Sequence, residues 1–355
     1  MKKLFRVFVV VLTVFIAFSM FSCKAILDSL TDIKGSGTAS DPYIIMTGAQ
    51  LRKVGTGEDG LTASKHYKQG TNIIVLGASW TPICDTGSFT GTYDGGNFYI
   101  DFTATNSEAM FGTIGATGNV RNLGIKVDTN SSSLTVIGGL AKTNNGTIEQ
   151  CYVTGSITNH NGALGVGGLA GSNSGVIRNC YTNVEISITG SGSNSPMAAG
   201  LVRQNTGLIE YCYTVGPVSI SDGFNNCNAG GLAADNRGAS AIIRYSVAAN
   251  PSLINPNGNQ FMIGRVTAGS YLGATTPNNY AKSDMVLTYN TAGGTVNFSD
   301  SHQGTAVTSD LIKGAGSSTW WSTTSPGPGF SGSVWLFGDS KYPELRNVAG
   351  QTVND

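Results

Sequence analysis

The chain has 355 residues, of which 12% are charged and 40% hydrophobic, with 49 glycines and only 10 prolines. That hydrophobic share is too high for a disordered chain, and glycine at about twice its usual frequency without a Gly-X-Y period excludes collagen and points to a turn-dense β protein. Charge balances at 21 basic and 21 acidic residues with no basic run longer than three, so the clustered Lys/Arg of a nucleic-acid groove is missing and no nucleic-acid partner is expected.

Residues 1–22 open with Lys2, Lys3 and Arg6 around an apolar run from Leu4 to Phe21, with the small residues Ser19 and Ser22 near its end. This is the order of a secretion signal, an uncleaved membrane anchor being the alternative for a segment of this length. Ser19-Met20-Phe21-Ser22-Cys23 resembles a bacterial lipobox, with Met20 and Phe21 in place of the commoner leucine and small residue. The resemblance implies removal of residues 1–22, acylation of Cys23, and residues 23–34 as a tether. The mature chain then carries 18 basic against 21 acidic residues. Lys24, rather than Asp, follows the cysteine, which in the same comparison implies export to an outer membrane or cell surface. The membrane partner would be reached through the lipid on Cys23.

Thr47–Val54 is the segment expected to be helical, with Thr47 as N-cap and Leu51 and Val54 plugging the open end of the fold that follows. Repeats then take over. Gly138-Gly139-Leu140-Ala141 returns as Gly167-Gly168-Leu169-Ala170, Ala199-Gly200-Leu201-Val202 and Gly230-Gly231-Leu232-Ala233, with the leucines 29, 32 and 31 residues apart. Asn-x-Gly-x-Ile follows from Asn144, Asn173 and Asn205, and the copy from Asn236 carries a three-residue insertion before Ile243. Three residues after each Ile stands Cys151, Cys180, Cys212 or Ser246, and Leu123 holds the same place in a weaker upstream copy. With a weak downstream copy, about six repeats fill residues 109–290.

Within a repeat the period is two. Cys180, Thr182, Val184 and Ile186 alternate with Tyr181, Asn183 and Glu185, the mark of a strand with one buried face. Units this short cannot bury that face alone and must stack on their neighbours. Asn and Gly are expected to supply left-handed corners. The fold expectation is all-β: a right-handed parallel β-helix, or solenoid, over 35–290 with a short N-terminal helical cap. Residues 291–355, with Trp320, Trp321 and Trp335, form a C-terminal capping segment. Propeller blades of four strands run to ~40 residues and do not fit.

The run from Gly167 through Leu169, Asn173 and Gly175 to Ile177 resembles the GLUG motif. Gly35-Ser36-Gly37-Thr38 with Asp41-Pro42-Tyr43, Trp80-Thr81-Pro82-Ile83 with Tyr93-Asp94-Gly95, and Trp335-Leu336-Phe337 with Tyr342-Pro343 resemble the first and last coils of such β-helices. The chain is thus similar to GLUG-motif bacterial surface proteins over most of residues 35–346. That motif recurs in surface and secreted proteins, including regions accompanying some immunoglobulin A-cleaving metallopeptidases. The resemblance implies the fold and an exported setting; its hosts differ in function.

Chemistry-bearing residues are sparse. His66, His160 and His302 form no His-Glu-x-x-His, so the peptidase centre of some GLUG hosts is absent, and neither a metal nor a cofactor is expected. Leu123, Cys151, Cys180, Cys212 and Ser246 read as one inward, structural core ladder of unlinked groups, with Cys84 and Cys227 unassigned. Asp94, Asp101 and Asp128 are the carboxylates a carbohydrate-active β-helix would have to use, and Asp94 sits in turn-forming Thr-Tyr-Asp-Gly-Gly. No catalytic residue is assigned, and the non-enzymatic reading is favoured. Opposite the cysteines, Tyr152, Tyr181 and Tyr213 are expected outward as a column, either shielding the sheet or forming an aromatic platform for a host or envelope glycan or protein. The functional expectation is a lipid-anchored binding, adhesin or display module. The alternatives are a polysaccharide lyase or glycosidase, and an accessory scaffold of an envelope complex.

Overall fold

Residues 138–141 explain how one coil closes on the next. A Cβ on Gly168 would lie 2.0 Å from the Gly200 carbonyl oxygen of the following coil, so only glycine lets the backbones approach there. The leucines that follow, Leu140, Leu169, Leu201 and Leu232, are all fully buried. The computed structural model describes residues 32–353 except 78, 105–106, 133–135, 161–163, 193–194, 260–261, 294 and 297–300. The signal segment, Cys23 and the tether up to residue 31 lie outside the described residues.

Each central coil contains four short strands. In one coil these are Val136–Gly138, Ala141–Asn144, Thr147–Glu149 and Tyr152–Asn159. In the next they are Gly165–Gly167, Ala170–Asn173, Val176–Arg178 and Tyr181–Ile188. Every strand pairs in parallel with its counterpart one coil away, for example Tyr152 with Tyr181 and Asn159 with Ile188. One sheet runs from Tyr43–Ile45 through eight strands to Ile242–Arg244, each neighbour later in the chain than the last. A second, long sheet of twelve strands runs beside it, and sheets of six and five complete the wall. Strand order that follows chain order, with parallel pairing in all four of these sheets, makes the fold a parallel β-solenoid, as the repeats imply. The insertion after Asn236 is looped out, because Ile242 still pairs with Leu208 and Ile243 with Ile209.

Asn and Gly supply many of the left-handed positions, Asn97, Asn122 and Asn179 among them, but not every corner. The left-handed residue is the one just before the core-ladder position: Asn122, Gln150, Asn179, Tyr211 and Tyr245, with φ of 52°, 51°, 53°, 54° and 52°. The asparagines of Asn-x-Gly-x-Ile do something else. Asn144 Nδ2 donates to Asn173 Oδ1 at 2.7 Å, Asn173 to Asn205 at 2.8 Å, and Asn205 to Asn236 at 2.8 Å. This buried ladder satisfies amide groups that would otherwise each cost about 1–3 kcal/mol.

Leu123, Cys151, Cys180, Cys212 and Ser246 are all fully buried, and the cysteines are unlinked. The left-handed corner explains the residue type. Cys151, Cys180 and Cys212 each donate from Sγ to the carbonyl two residues earlier at 3.2 Å. Ser246 Oγ makes the same bond to Arg244 at 2.9 Å. Burial pushes the Cys151 and Cys212 thiols well above the ordinary value.

The N-terminal helix is Gly48–Lys53, with the Thr47 side chain accepting from the Gln50 amide and with Leu51 and Val54 buried. The C-terminal segment departs from a simple end cap. Thr305–Val307 adds a last rung on Tyr280–Lys282, so the solenoid runs past residue 290. Residues 309–353 then turn back along the flank as a strap that contains the short helices Ser309–Lys313 and Ser317–Ser322. Its Trp320, Trp321, Phe330 and Trp335 form a second apolar cluster, separate from the core inside the coils.

Candidate functional site

The tyrosine column is the first candidate to test, and it overturns one expectation. Tyr152, Tyr181 and Tyr213 do lie on the outer face of the long sheet and stack with ring centroids 5.3 and 5.0 Å apart. They are nevertheless fully buried, because the strap covers them. Trp321 and Trp335 sit 5.3 and 5.6 Å from the Tyr213 ring. Tyr213 donates its hydroxyl to the Pro343 carbonyl, and Tyr280 donates to Gly327 at 3.0 Å. An outward side chain on a sheet need not meet solvent when a later segment brings its own aromatic surface. These rings therefore offer no platform to a ligand.

The carboxylates divide. Asp94 is structural: it accepts from Gly96 N at 2.9 Å, Arg121 Nε at 3.0 Å and Asn122 Nδ2 at 3.1 Å. Asp101 and Asp128 come together elsewhere, on the outer face of the long sheet. Asp101 lies opposite Lys126, and Asp128 opposite Thr103 on one side and Ser156 on the other. Asp101, Thr103, Lys126, Val127 and Asp128, with Thr154, Gly155 and Thr352, line a recess of about 220 Å³. Thr352 arrives on the strap, whose end is pinned by Ala349 N donating to the Asn97 carbonyl at 2.9 Å.

Three local choices shape this recess. Gly155 occupies a column otherwise filled by Val127 and Val184, at φ 117°, where a Cβ would fall 1.9 Å from the Val127 carbonyl oxygen. Only glycine fits this backbone, and Gly155 stands exposed at the recess. Lys126 holds its ammonium 4.4 Å from the Tyr99 ring centroid, a cation–π contact that keeps it beside the recess. Ser156 Oγ donates to Asp128 Oδ1 at 2.8 Å. Sequence reasoning had flagged the two aspartates but not Lys126, Thr154 or Thr352. Only the coil register and the strap place these three with them.

Other candidates hold less. Among the described residues no group of three His, Cys, Asp or Glu side chains is placed to hold a metal. His160 is exposed and its Nδ1 lies 2.8 Å from Thr189 Oγ1, whereas His66 stands within a paired strand rather than a loop. Cys227 is buried and its thiol is pushed up to about 11 by burial, and Cys84 is half-buried. No helix among the described residues is long and apolar enough to cross a membrane.

No family model matches the chain. Two curated relatives are 29% identical over 154 and 144 residues. One is provisionally named a Gly-rich membrane protein, from Evansella cellulosilytica, and is matched over 39% of this chain and 18% of its own length. The other is halomucin of Haloquadratum walsbyi, matched over 36% of this chain and 2% of its own length. The chain thus spans less than a fifth of either relative. A crystal structure from Bacteroides ovatus, described provisionally as an immunoglobulin A1 protease, aligns at TM-score 0.65 and 23% identity over 88% of this chain and 94% of that one. This likeness is one of fold.

Proposed function

We propose that the chain is a lipid-anchored β-solenoid of the cell surface that serves as a binding module, of the GLUG-motif kind, for an envelope or host ligand. The observation that supports it most is the recess at Asp101, Lys126 and Thr352, a group of polar side chains on a stack where several other charges pair between coils. Glu149 and Glu210 bind Arg178 and Arg244 of the next coil at 2.6 and 2.8 Å. The relative named as a Gly-rich membrane protein supports an envelope setting, and the lipobox-like run before Cys23 supports the anchor. Radiolabelled palmitate should enter the wild type and not Cys23→Ala, and whole cells treated with protease should lose the protein. Equal labelling of both chains, or full protection from protease, rules the reading out.

A carbohydrate-active enzyme is the second reading, favoured by Asp101 and Asp128 sharing one recess. Glycosidases set two carboxyl groups across the scissile bond. Release of reducing ends from polysaccharide, lost in Asp101→Asn, would support it. Binding without release favours the module.

A further inference from the structure

We propose that the recess formed by Asp101, Thr103, Lys126, Asp128, Thr154 and Thr352 binds a neutral saccharide, an inference that rests on the binding-module reading above. Most of its groups have no partner among the described residues. Asp101 lies opposite Lys126 in register, yet the two make no ion pair, and Lys126 turns to the Tyr99 ring instead. The side chains of Asp101, Thr103, Thr154 and Thr352 have no hydrogen-bond partner among the described residues. Thr154 is the telling one. It is only 4% exposed, yet its hydroxyl is not a buried orphan: it opens on the recess without a partner among the described residues. A ligand that fills the recess takes this hydroxyl out of water and must hydrogen-bond it or leave it unpaired.

The donor and acceptor set identifies the ligand class. The two carboxylates only accept, the ammonium only donates, and the threonine hydroxyls do both. Sugar hydroxyls also do both, so neighbouring hydroxyls on one ring answer a mixed set of this kind. An anion meets two carboxylates against one ammonium and is repelled. A divalent cation wants several oxygen ligands without a lysine among them. The volume, about 220 Å³, is below the ~300–1,000 Å³ of drug-sized pockets and suits one ring of a longer chain. Gly155 lets that ring lie against the strand, and Thr352 closes one side.

The full chain should be screened on an array of neutral glucan, mannan and galactan fragments, with polygalacturonate and heparin fragments as the acidic arm, and in a second screen on immobilised host matrix proteins. The best-retained fragment is then titrated against the wild type, Asp101→Asn and Thr154→Val. Neutral fragments should be retained and acidic ones not, and each variant should bind about tenfold more weakly, the equivalent of one lost hydrogen bond, with an unchanged thermal midpoint. Should Thr154→Val fold poorly, Thr352→Val on the strap makes the same test. Preference for acidic fragments, or no neutral fragment retained, overturns the proposal. Neutral binding unaffected by the variants overturns the recess and leaves a binding module standing. Binding to host matrix proteins alone overturns the saccharide but not the module. No ligand in either screen overturns both.

Discussion

Tyr152 Oη donates a 2.6 Å hydrogen bond to the carbonyl of Ala349, 197 positions further along the chain. The contact joins the middle of the solenoid to the last turn of the strap, and Trp335 Nε1 makes a similar link to Asn179 Oδ1 at 3.2 Å. Tyr152→Phe should therefore cost about 1 kcal/mol, the net worth of one hydrogen bond. Tyr213→Ala, which empties the centre of the aromatic cluster, should cost ~3–5 kcal/mol. Urea unfolding measures both. A truncation after residue 308 should bind a hydrophobic dye strongly, and a dye-silent, monomeric truncation would refute the clasp.

The asparagine ladder makes position matter. Asn173→Leu removes two rungs of the ladder, leaving Asn144 Nδ2 the Val176 carbonyl at 3.2 Å and Asn205 Oδ1 the Gly207 amide at 3.3 Å, so it should cost roughly 1–3 kcal/mol. Asn236→Leu, where the series reaches its last asparagine, should cost less. Equal losses at the two sites would mean that the ladder contributes little.

The core-ladder thiols predict a graded series. Cys180→Ser keeps a donor for the Arg178 carbonyl and should be the mildest change. Cys180→Val forfeits that bond, and Cys180→Asp buries an unpaired charge and should abolish folding. Thiol reagent should react with Cys151, Cys180 and Cys212 only after denaturation. Fast labelling of native protein would contradict their burial.

Alkaline pH should destabilise the fold. Cys227 titrates near 11 when folded against 9.0 ordinarily, and Cys151 and Cys212 are also raised. Groups whose folded value is raised contribute fully below the unfolded value and lose that contribution as pH climbs. Stability should hold to about pH 9 and then fall through pH 11, with buried Tyr181 and Tyr213 adding to the loss above about 10. Urea midpoints between pH 7 and 11 report this, and a flat profile would show the groups to be solvated.

Gln150 holds a left-handed corner at φ 51° with no glycine or asparagine chemistry to favour it. Such a backbone costs an ordinary residue about 1–2 kcal/mol, partly offset by the entropy that glycine loses on folding. Gln150→Gly should stabilise by roughly 0.5–1 kcal/mol, and a lower thermal midpoint would argue otherwise.

The periodic part of this fold was legible and the aperiodic part was not. Alternation along Cys180 to Ile186 shows which side chains enter the core, because a strand's two faces are fixed by the backbone. The Gly-Gly-Leu copies show which residues share a rung. Nothing periodic links Trp321 or Trp335 to Tyr213, so the burial of the tyrosines came from a contact that no repeat encodes. The corners were legible in part: Asn122 and Asn179 hold them as residue type suggests, whereas Gln150 and Tyr211 accept strain that residue type does not advertise. The recess was half visible, since Asp101 and Asp128 stand out in a charge-poor chain, while Thr352 reaches it only through the strap.

Solenoids ordinarily lengthen or shorten by whole coils, since each coil touches only its neighbours. Here the strap meets Tyr280, Tyr213, Asn179, Tyr152 and Asn97 at different heights on the stack. One coil inserted or removed between Asn97 and Tyr280 would displace these anchor points by about 4.8 Å, beyond the reach of a hydrogen bond. The chain thus carries its own ruler. Duplication of repeats, the easiest route by which such proteins diversify, is closed to this one unless the strap changes length in the same step.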